Sequence, residues 1–329
     1  MERIMSASSK IIKAPVATEM ASFEEFFKTT MDSKIPLLQT IVNYVLRRKG
    51  KQLRPTIVFL TAKLNGAVSD NTYVAASMIE LLHTATLIHD DVVDEAYERR
   101  GALSINAMWR SKIAVLLGDF LLAKGLQLSV DTNSFDLLRI MSEAVKEMSE
   151  GELLQIEKAR KLDITEDVYF DIIRKKTATL IASCAANGAQ SVRATPEIVQ
   201  KMKQYGEYIG IAFQLKDDLF DYQEKPLIGK PTGNDIKEKK MTLPLIFALN
   251  QTSKGEKSRI LKLVRNAQSK PQNVAEVIDF VALSGGIAYT EQKMHEYKDK
   301  AIAILDDYPD SDVKNALVEL AHYTTQRSK

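Results

Sequence analysis

Cysteine, tryptophan, glycine and proline are all scarce in this 329-residue chain, which holds one, one, 14 and nine of them. The single cysteine, Cys184, excludes an intramolecular disulfide and any cysteine-ligated zinc cluster, and it suits a reducing cytoplasm. Glycine and proline together fall well below the usual ~12% of residues, which argues against a turn-dense sandwich, a barrel or a disordered chain. Long apolar runs are missing as well. No stretch approaches the ~20 uninterrupted apolar residues of a membrane span. The N-terminus, MERIMSASSKIIKAPVATEM, lacks the continuous apolar core of a secretory signal. Net charge is also nearly absent: 45 Lys+Arg against 43 Asp+Glu leave +2, so nothing electrostatic points to nucleic acid or an anionic membrane. The expectation is a soluble, cytoplasmic protein without a transmembrane segment, whose residues 1–20 fray.

What the chain has in quantity is apolar residues, 45%, at helical spacing. Between Phe23 and Val45, the residues Phe26, Phe27, Ile35, Leu37, Leu38 and Ile41 recur at three- and four-residue intervals. Asn71 and Thr72 open a second such segment, with Val74, Met78, Ile79, Leu82, Ala85 and Thr86 along one side, running to about Glu95. Thr165 and Thr195 read as helix N-caps, the latter followed by Pro196. Gly66, Gly188 and the Gly285–Gly286 pair fall where helices should end. No alternating run demands a strand. The spacing predicts one all-α domain over 21–329, a helical bundle of about a dozen helices.

One motif occurs twice. His89-Asp90-Asp91-Val92-Val93-Asp94 is echoed by Lys216-Asp217-Asp218-Leu219-Phe220-Asp221; both are DDxxD and both end an apolar helical pattern. On a helix, residues i and i+4 share a face, so Asp90 pairs with Asp94 and Asp217 with Asp221, while Asp91 and Asp218 flank them. Three carboxylates on one turn repel unless a cation sits among them. Oxygen-only ligands select hard ions, and Mg²⁺ binds few carboxylates together with substrate phosphate oxygens. A calcium EF-hand is excluded, because its glycine and alternating ligands are missing. One copy alone is an ordinary solvated helix end; two copies suggest facing walls that clamp a diphosphate through metal ions. Basic residues stand at matching places: Arg99 and Arg100 after the first cluster, Lys51 and Arg54 in GKQLRP from Gly50, Lys176 before Thr177, Lys230 and Lys240. Arginine forks and lysine point charges are what phosphate recognition uses. A substrate with several phosphates follows.

In order along the chain, GKQLRP, LLHTATLIHDDVVDEAYERRG, AVLLGDFLLA, KKTATL, AFQLKDDLFDY, GKPTGNDI and TLPLIFAL resemble the trans-polyprenyl diphosphate synthases, over nearly the whole length. That resemblance implies an all-α isoprenoid synthase fold with a central apolar cavity, usually homodimeric. It implies a prenyltransferase that joins isopentenyl diphosphate head to tail to an allylic diphosphate, with possible peripheral membrane contact for product release. Asp90, Asp91, Asp94, Asp217, Asp218 and Asp221 would hold Mg²⁺, three ions in all, on the allylic diphosphate. Arg99, Lys176 and Lys240 would touch the same diphosphate, with Lys230 beside them. Gly50, Lys51, Arg54, His83 and Arg100 would take the isopentenyl diphosphate. Thr177 and Gln214 would stabilise the allylic cation or position the groups around it. The chain departs from the family where a glycine commonly precedes the lysine of the TLP segment: it has Lys239, which leaves Lys239 and Lys240 as alternatives. The DYQEKPLIGK loop is short, so Lys225 could share the role of Lys230.

Product length follows from residues before the first cluster. Thr86 and Ala85 lie four and five residues ahead of Asp90, ~6–7.5 Å down the helix. Short-chain members carry bulky aromatics there; here both are small. A tunnel should continue toward Leu82, Ile79 and Met78, giving a product of about seven to nine prenyl units, as in a quinone side chain. The floor would come from the Phe120 segment or from Met148. The rival readings are a shorter-chain farnesyl or geranylgeranyl synthase, an HD-type metal phosphohydrolase through His83 and His89, a class I terpene cyclase, and a non-catalytic subunit of a heteromeric synthase. The phosphohydrolase leaves the second DDxxD unexplained, the cyclase replaces it by an Asn/Ser/Glu motif, and a non-catalytic subunit loses the aspartates. Trp109 and Cys184 read as packing residues.

Overall fold

A computed structural model describes residues 2–47, 50–99, 101–222 and 233–327. The helices are α1 (Glu2–Lys13), α2 (Ala17–Thr30), α3 (Pro36–Leu46), α4 (Leu53–Asn65), α5 (Asp70–Val93), α6 (Ile105–Asp131), α7 (Phe135–Lys161) and α8 (Glu166–Ile173). They continue as α9 (Thr179–Ser191), α10 (Pro196–Phe220), α11 (Asn234–Lys237), α12 (Leu243–Asn250), α13 (Lys254–Arg265), α14 (Pro271–Leu283), α15 (Gly286–Ala303) and α16 (Asp312–Gln326). A two-residue hairpin, β1 (Glu98–Arg99) against β2 (Ala102–Leu103), is the one sheet among the described residues. It is too short to leave an alternating pattern, and Gly101 turns it with φ 73°. The fold class is all-α, as expected.

Several local expectations shift. The Phe23–Val45 stretch is two helices, because Pro36 starts α3 and cannot continue α2. Gly188 lies inside α9 rather than at an end. Its missing side chain has a packing reason: a Cβ there would overlap the Thr61 hydroxyl and the Val58 carbonyl of α4. The segment expected to fray is helical from Glu2, and Ile12, Val16 and Met20 are buried. Elsewhere the caps are as read. Thr165 accepts a hydrogen bond from the Val168 amide at 3.4 Å, and Gly66 follows α4.

The described residues fall into two compact units. The first spans Ile12–Ser142 and Ser183–Met202. In it α5 packs on α6, α4 and α2, around Met31, Ile41, Val42, Leu81, Ala85, Leu117 and Leu121. Each fully buried Val, Ile, Leu or Met side chain among them contributes about 1.5–3 kcal/mol. Tyr44 and Trp109 meet edge to face at 5.1 Å, so Trp109 is a packing residue. Helix α6 is kinked at Arg110 (φ 69°, ψ 162°). Among the described residues it alone is long and apolar enough, by length and composition, to cross a membrane, with a mean hydropathy of 1.6. Asp119 and Lys124 interrupt it; Leu117 and Leu121 are buried and Leu116, Leu126 and Val130 exposed.

The second unit comprises Met1–Ile11, Glu143–Ala182 and Lys203–Lys329. Its core centres on α12, whose Leu243, Leu245, Ile246 and Leu249 are buried among α8, α13, α14 and α15. Leu215 and Leu219 of α10 join the same cluster. After α8 the chain makes a π-helical turn, Arg174–Ala178. Two glycines let neighbouring helices reach that turn. A Cβ on Gly151 of α7 would stand 2.8 Å from the Lys176 nitrogen, and one on Gly210 of α10 would overlap Ala178. π-Turns widen a helix locally and recur at functional sites.

Candidate active site

The second DDxxD closes α10, and each of its aspartates has a different partner. Asp218 is buried, 3% exposed. Tyr169 of α8 donates to its Oδ2 at 2.5 Å and Gln214, one turn back, donates to its Oδ1 at 2.8 Å. Thr177 of the π-turn donates to Gln214 Oε1 at 2.8 Å, extending the chain of hydrogen bonds. Asp221 accepts from the Asn234 and Asp235 amides, at 3.0 and 2.9 Å, at the start of α11. Asp217 accepts from Arg327 Nη2 at 2.7 Å.

Negative charge is crowded here. Burial first, and then the charge of Asp235, push the Asp218 carboxyl up to about 8, although Tyr169 and Gln214 hold it down. Burial and the Asp221 charge raise Asp235 to about 6, against Lys240. Burial, then Asp218, lifts the Tyr169 phenol well above its ordinary range. A buried set of mutually repelling carboxylates is stabilised by an added cation.

A cavity of ≈ 110 Å³ opens on this cluster. Lys176, Thr177, Gln214, Asp218 and Lys240, all picked from sequence, line it together with Asp235 and the apolar Ile164, Ile172, Ile173 and Met241. Lys176 is ion-paired with Glu152 and donates to Gln155 Oε1 at 3.3 Å, both from α7. Lys240 pairs with Glu238 at 2.5 Å. Between the two alternatives, Lys240 borders this cavity and Lys239 borders another with Asn234 and Gln268. Lys239 has φ 61°, the left-handed region that glycine occupies without strain, which is the physical reason for a glycine at this position.

The first DDxxD closes α5 in the other unit. Asp90 and Asp94 are exposed and Asp91 is buried. The Asp91 carbonyl accepts from the Ala96 amide at 2.9 Å, and Glu95, φ 49°, turns the chain out of the helix toward the hairpin. Ser104 donates to the Ala96 carbonyl at 2.6 Å and Tyr44 to that of Leu103 at 2.7 Å, so β2 is tied back on both sides. A cavity of ≈ 310 Å³ lies here, with Gly50, Glu80, His83, Thr84 and Asp91 among aromatic and aliphatic residues such as Phe23, Phe27 and Ile88. Gly50 and Lys51 are exposed beside Gln52, whose φ of 52° starts α4. Arg54 follows, half-buried. His89 Nε2 stands 3.6 Å from Asp119 of α6. Leu82 and Ala85 are buried, and Ala85 packs with Leu117 and Leu121 rather than lining that cavity. Thr86 donates to the His83 carbonyl at 2.9 Å. The Arg99 side chain, Arg100, Lys225 and Lys230 lie outside the described residues.

Sequence reading missed Tyr169, Asp235 and Arg327. Asp235 was in view within GKPTGNDI; the other two carry no local signal.

The donor set suits a hard divalent ion such as Mg²⁺: it is all oxygen, and at the second cluster burial and the neighbouring carboxylates raise Asp218 and Asp235 together. Among the described residues no three acidic or histidine groups form a ready-made cage.

Helices surrounding carboxylate clusters on long core helices define an isoprenoid synthase fold, and known proteins agree. The polyprenyl synthetase family profile matches residues 35–281. An all-trans-nonaprenyl-diphosphate synthase (geranyl-diphosphate specific) of Rhodobacter capsulatus is 36% identical over 96% of this chain and 97% of its own. The crystal structure of a decaprenyl diphosphate synthase from the same organism superposes with a TM-score of 0.90 at 32% identity, covering 98% and 99%. A geranylgeranyl pyrophosphate synthase from Bacteroides thetaiotaomicron gives 0.82 at 38%, covering 98% and 100%. The chain belongs to the polyprenyl synthetase family and is a trans-polyprenyl diphosphate synthase, a prenyltransferase.

Proposed function

We propose that this prenyltransferase condenses isopentenyl diphosphate with farnesyl or geranylgeranyl diphosphate to make a long-chain all-trans polyprenyl diphosphate for a quinone side chain. The observation that carries the reading is the convergence of Lys176, Thr177, Gln214, Asp218 and Lys240 on one cavity. Lys176 and Lys240 take negative charge from the allylic diphosphate, Lys176 exchanging Glu152 for a phosphate oxygen. Thr177 and Gln214 present neutral dipoles, already oriented by their mutual hydrogen bond, to the allylic cation left by ionisation. Ile164, Ile172, Ile173 and Met241 keep out the water that would trap that cation. The isopentenyl double bond attacks it, and the departing diphosphate accepts the proton lost afterwards. By resemblance, Asp90, Asp91, Asp94, Asp217, Asp218 and Asp221 would hold Mg²⁺, three ions in all, which would supply charge neutralisation for the leaving diphosphate. Gly50, Lys51, Arg54 and His83, with Arg99, Arg100 and Lys230 outside the described residues, complete diphosphate binding by resemblance.

We place the enzyme in the cytoplasm as a homodimer; exposed Leu116, Leu126 and Val130 on α6 support a covered face. Long product length is supported by the nonaprenyl and decaprenyl relatives and by small residues at Ala85 and Thr86. The geranylgeranyl relative favours a shorter product instead. Labelled isopentenyl diphosphate with farnesyl diphosphate and Mg²⁺ decides: chains of about seven to nine units are expected, and no incorporation with any allylic primer defeats the assignment. Ala85→Tyr should shorten the ladder and, being an overfilled buried site, cost about 1–3 kcal/mol. An unchanged ladder refutes the open-floor idea.

A further inference from the structure

We propose that Arg327, at the end of α16, is a positioning residue of the second aspartate cluster, holding Asp217 so that one carboxylate oxygen stays presented to a divalent cation. This rests on reading that cluster as a metal site. Arg327 Nη2 donates to Asp217 Oδ1 at 2.7 Å and to the Phe213 carbonyl at 3.1 Å. Its guanidinium lies 3.8 Å over the Phe213 ring and 5.5 Å from that of Phe220. The arginine side chain is 11% exposed and that of Asp217 39%. The stack and the carbonyl contact do not involve Asp217. The guanidinium is therefore fixed by α10 itself, and the more exposed carboxylate turns to meet it.

The arginine is delivered by a well-anchored element. Tyr205 donates to the Leu317 carbonyl at 2.8 Å, and Leu320, Ala321 and Thr324 of α16 are buried. With Oδ1 engaged by Arg327, Oδ2 is the oxygen that would be left to a cation. Asp218 and Asp221 are held by other partners, so Arg327 completes a cluster in which every carboxylate is oriented. Partners one step removed from a metal typically change its affinity 10–100-fold when lost.

A competing arrangement has the opposite sign. If the guanidinium stood where the metal must go, removing it would tighten metal binding. Mn²⁺, a hard spin-active ion, is the probe, titrated into the full chain and followed by electron paramagnetic resonance. Arg327→Gln should weaken Mn²⁺ binding by about tenfold, and Arg327→Lys should recover part of the loss. Phe213→Leu, which removes the stack and leaves both charges, should weaken it less and gives the same test if Arg327→Gln does not fold, as judged by metal-free melting. Unchanged or tighter binding in the folded variants overturns the proposal. Mn²⁺ binding unaffected by Asp217→Ala instead defeats the metal reading of the cluster, and this inference with it.

Discussion

The two DDxxD motifs are identical in spacing and differ in nearly everything around them. At the end of α5, Asp90 and Asp94 are exposed, and the chain leaves through a left-handed residue into a tied-back hairpin. At the end of α10, Asp217, Asp218 and Asp221 each have a fixed partner: Arg327, the Tyr169–Gln214 pair, and the amides of α11. The same five-residue pattern thus yields one set whose first and last aspartates face solvent and one set anchored on Tyr169, Gln214, Arg327 and α11. A motif specifies which atoms are available; elements far away in sequence decide how rigidly they are offered.

Three experiments probe that contrast. Asp218→Asn has the largest expected effect, a fall in turnover of roughly 10²–10³-fold, the scale of losing one preorganised electrostatic group. Because burial and Asp235 already disfavour the Asp218 charge, the metal-free protein should melt no lower than wild type. A clearly lowered melting temperature would show that the cluster is structural rather than held for function. Next comes Tyr169→Phe, which removes one donor to Asp218. It should cost about tenfold in activity, and activity equal to wild type would mean that the held geometry does not matter. The smallest effect is expected at Lys239, where a non-glycine residue sits at φ 61°. Lys239→Gly should raise stability by about 1 kcal/mol in a denaturant titration without lowering activity, whereas Lys240→Ala should lower activity. The reverse pattern would assign the site to Lys239.

Much of this was legible beforehand, for identifiable reasons. Helical spacing exposed the all-α class, and the acidic motifs, Lys176, Thr177, Gln214 and Lys240 stood in local patterns that the structure brings to two clusters. Interactions set by distant packing were not legible. Tyr169 lies 49 residues from Asp218 and Arg327 lies 110 from Asp217, and neither belongs to a motif. Gly188 looked like a helix end because a glycine required by a close approach and one required by a turn are the same letter. Across Phe23–Val45 the apolar period runs through two helices, α2 and the α3 that Pro36 opens, a break that three- and four-residue spacing does not show. The lone Cys184 was rightly treated as packing: it is buried, and burial pushes its thiol up to about 12, far from a nucleophile's range.

Both acidic clusters are proposed to serve one reaction despite their different surroundings. Turnover of Asp90→Ala, Asp217→Ala and the double variant tests it directly, with isopentenyl and allylic diphosphates and saturating Mg²⁺. Groups that act as a unit are grossly non-additive. Each single variant should therefore lose most activity, and the double should lose little more than the worse single. Full activity in either single variant, or losses that simply multiply in the double, would contradict the account.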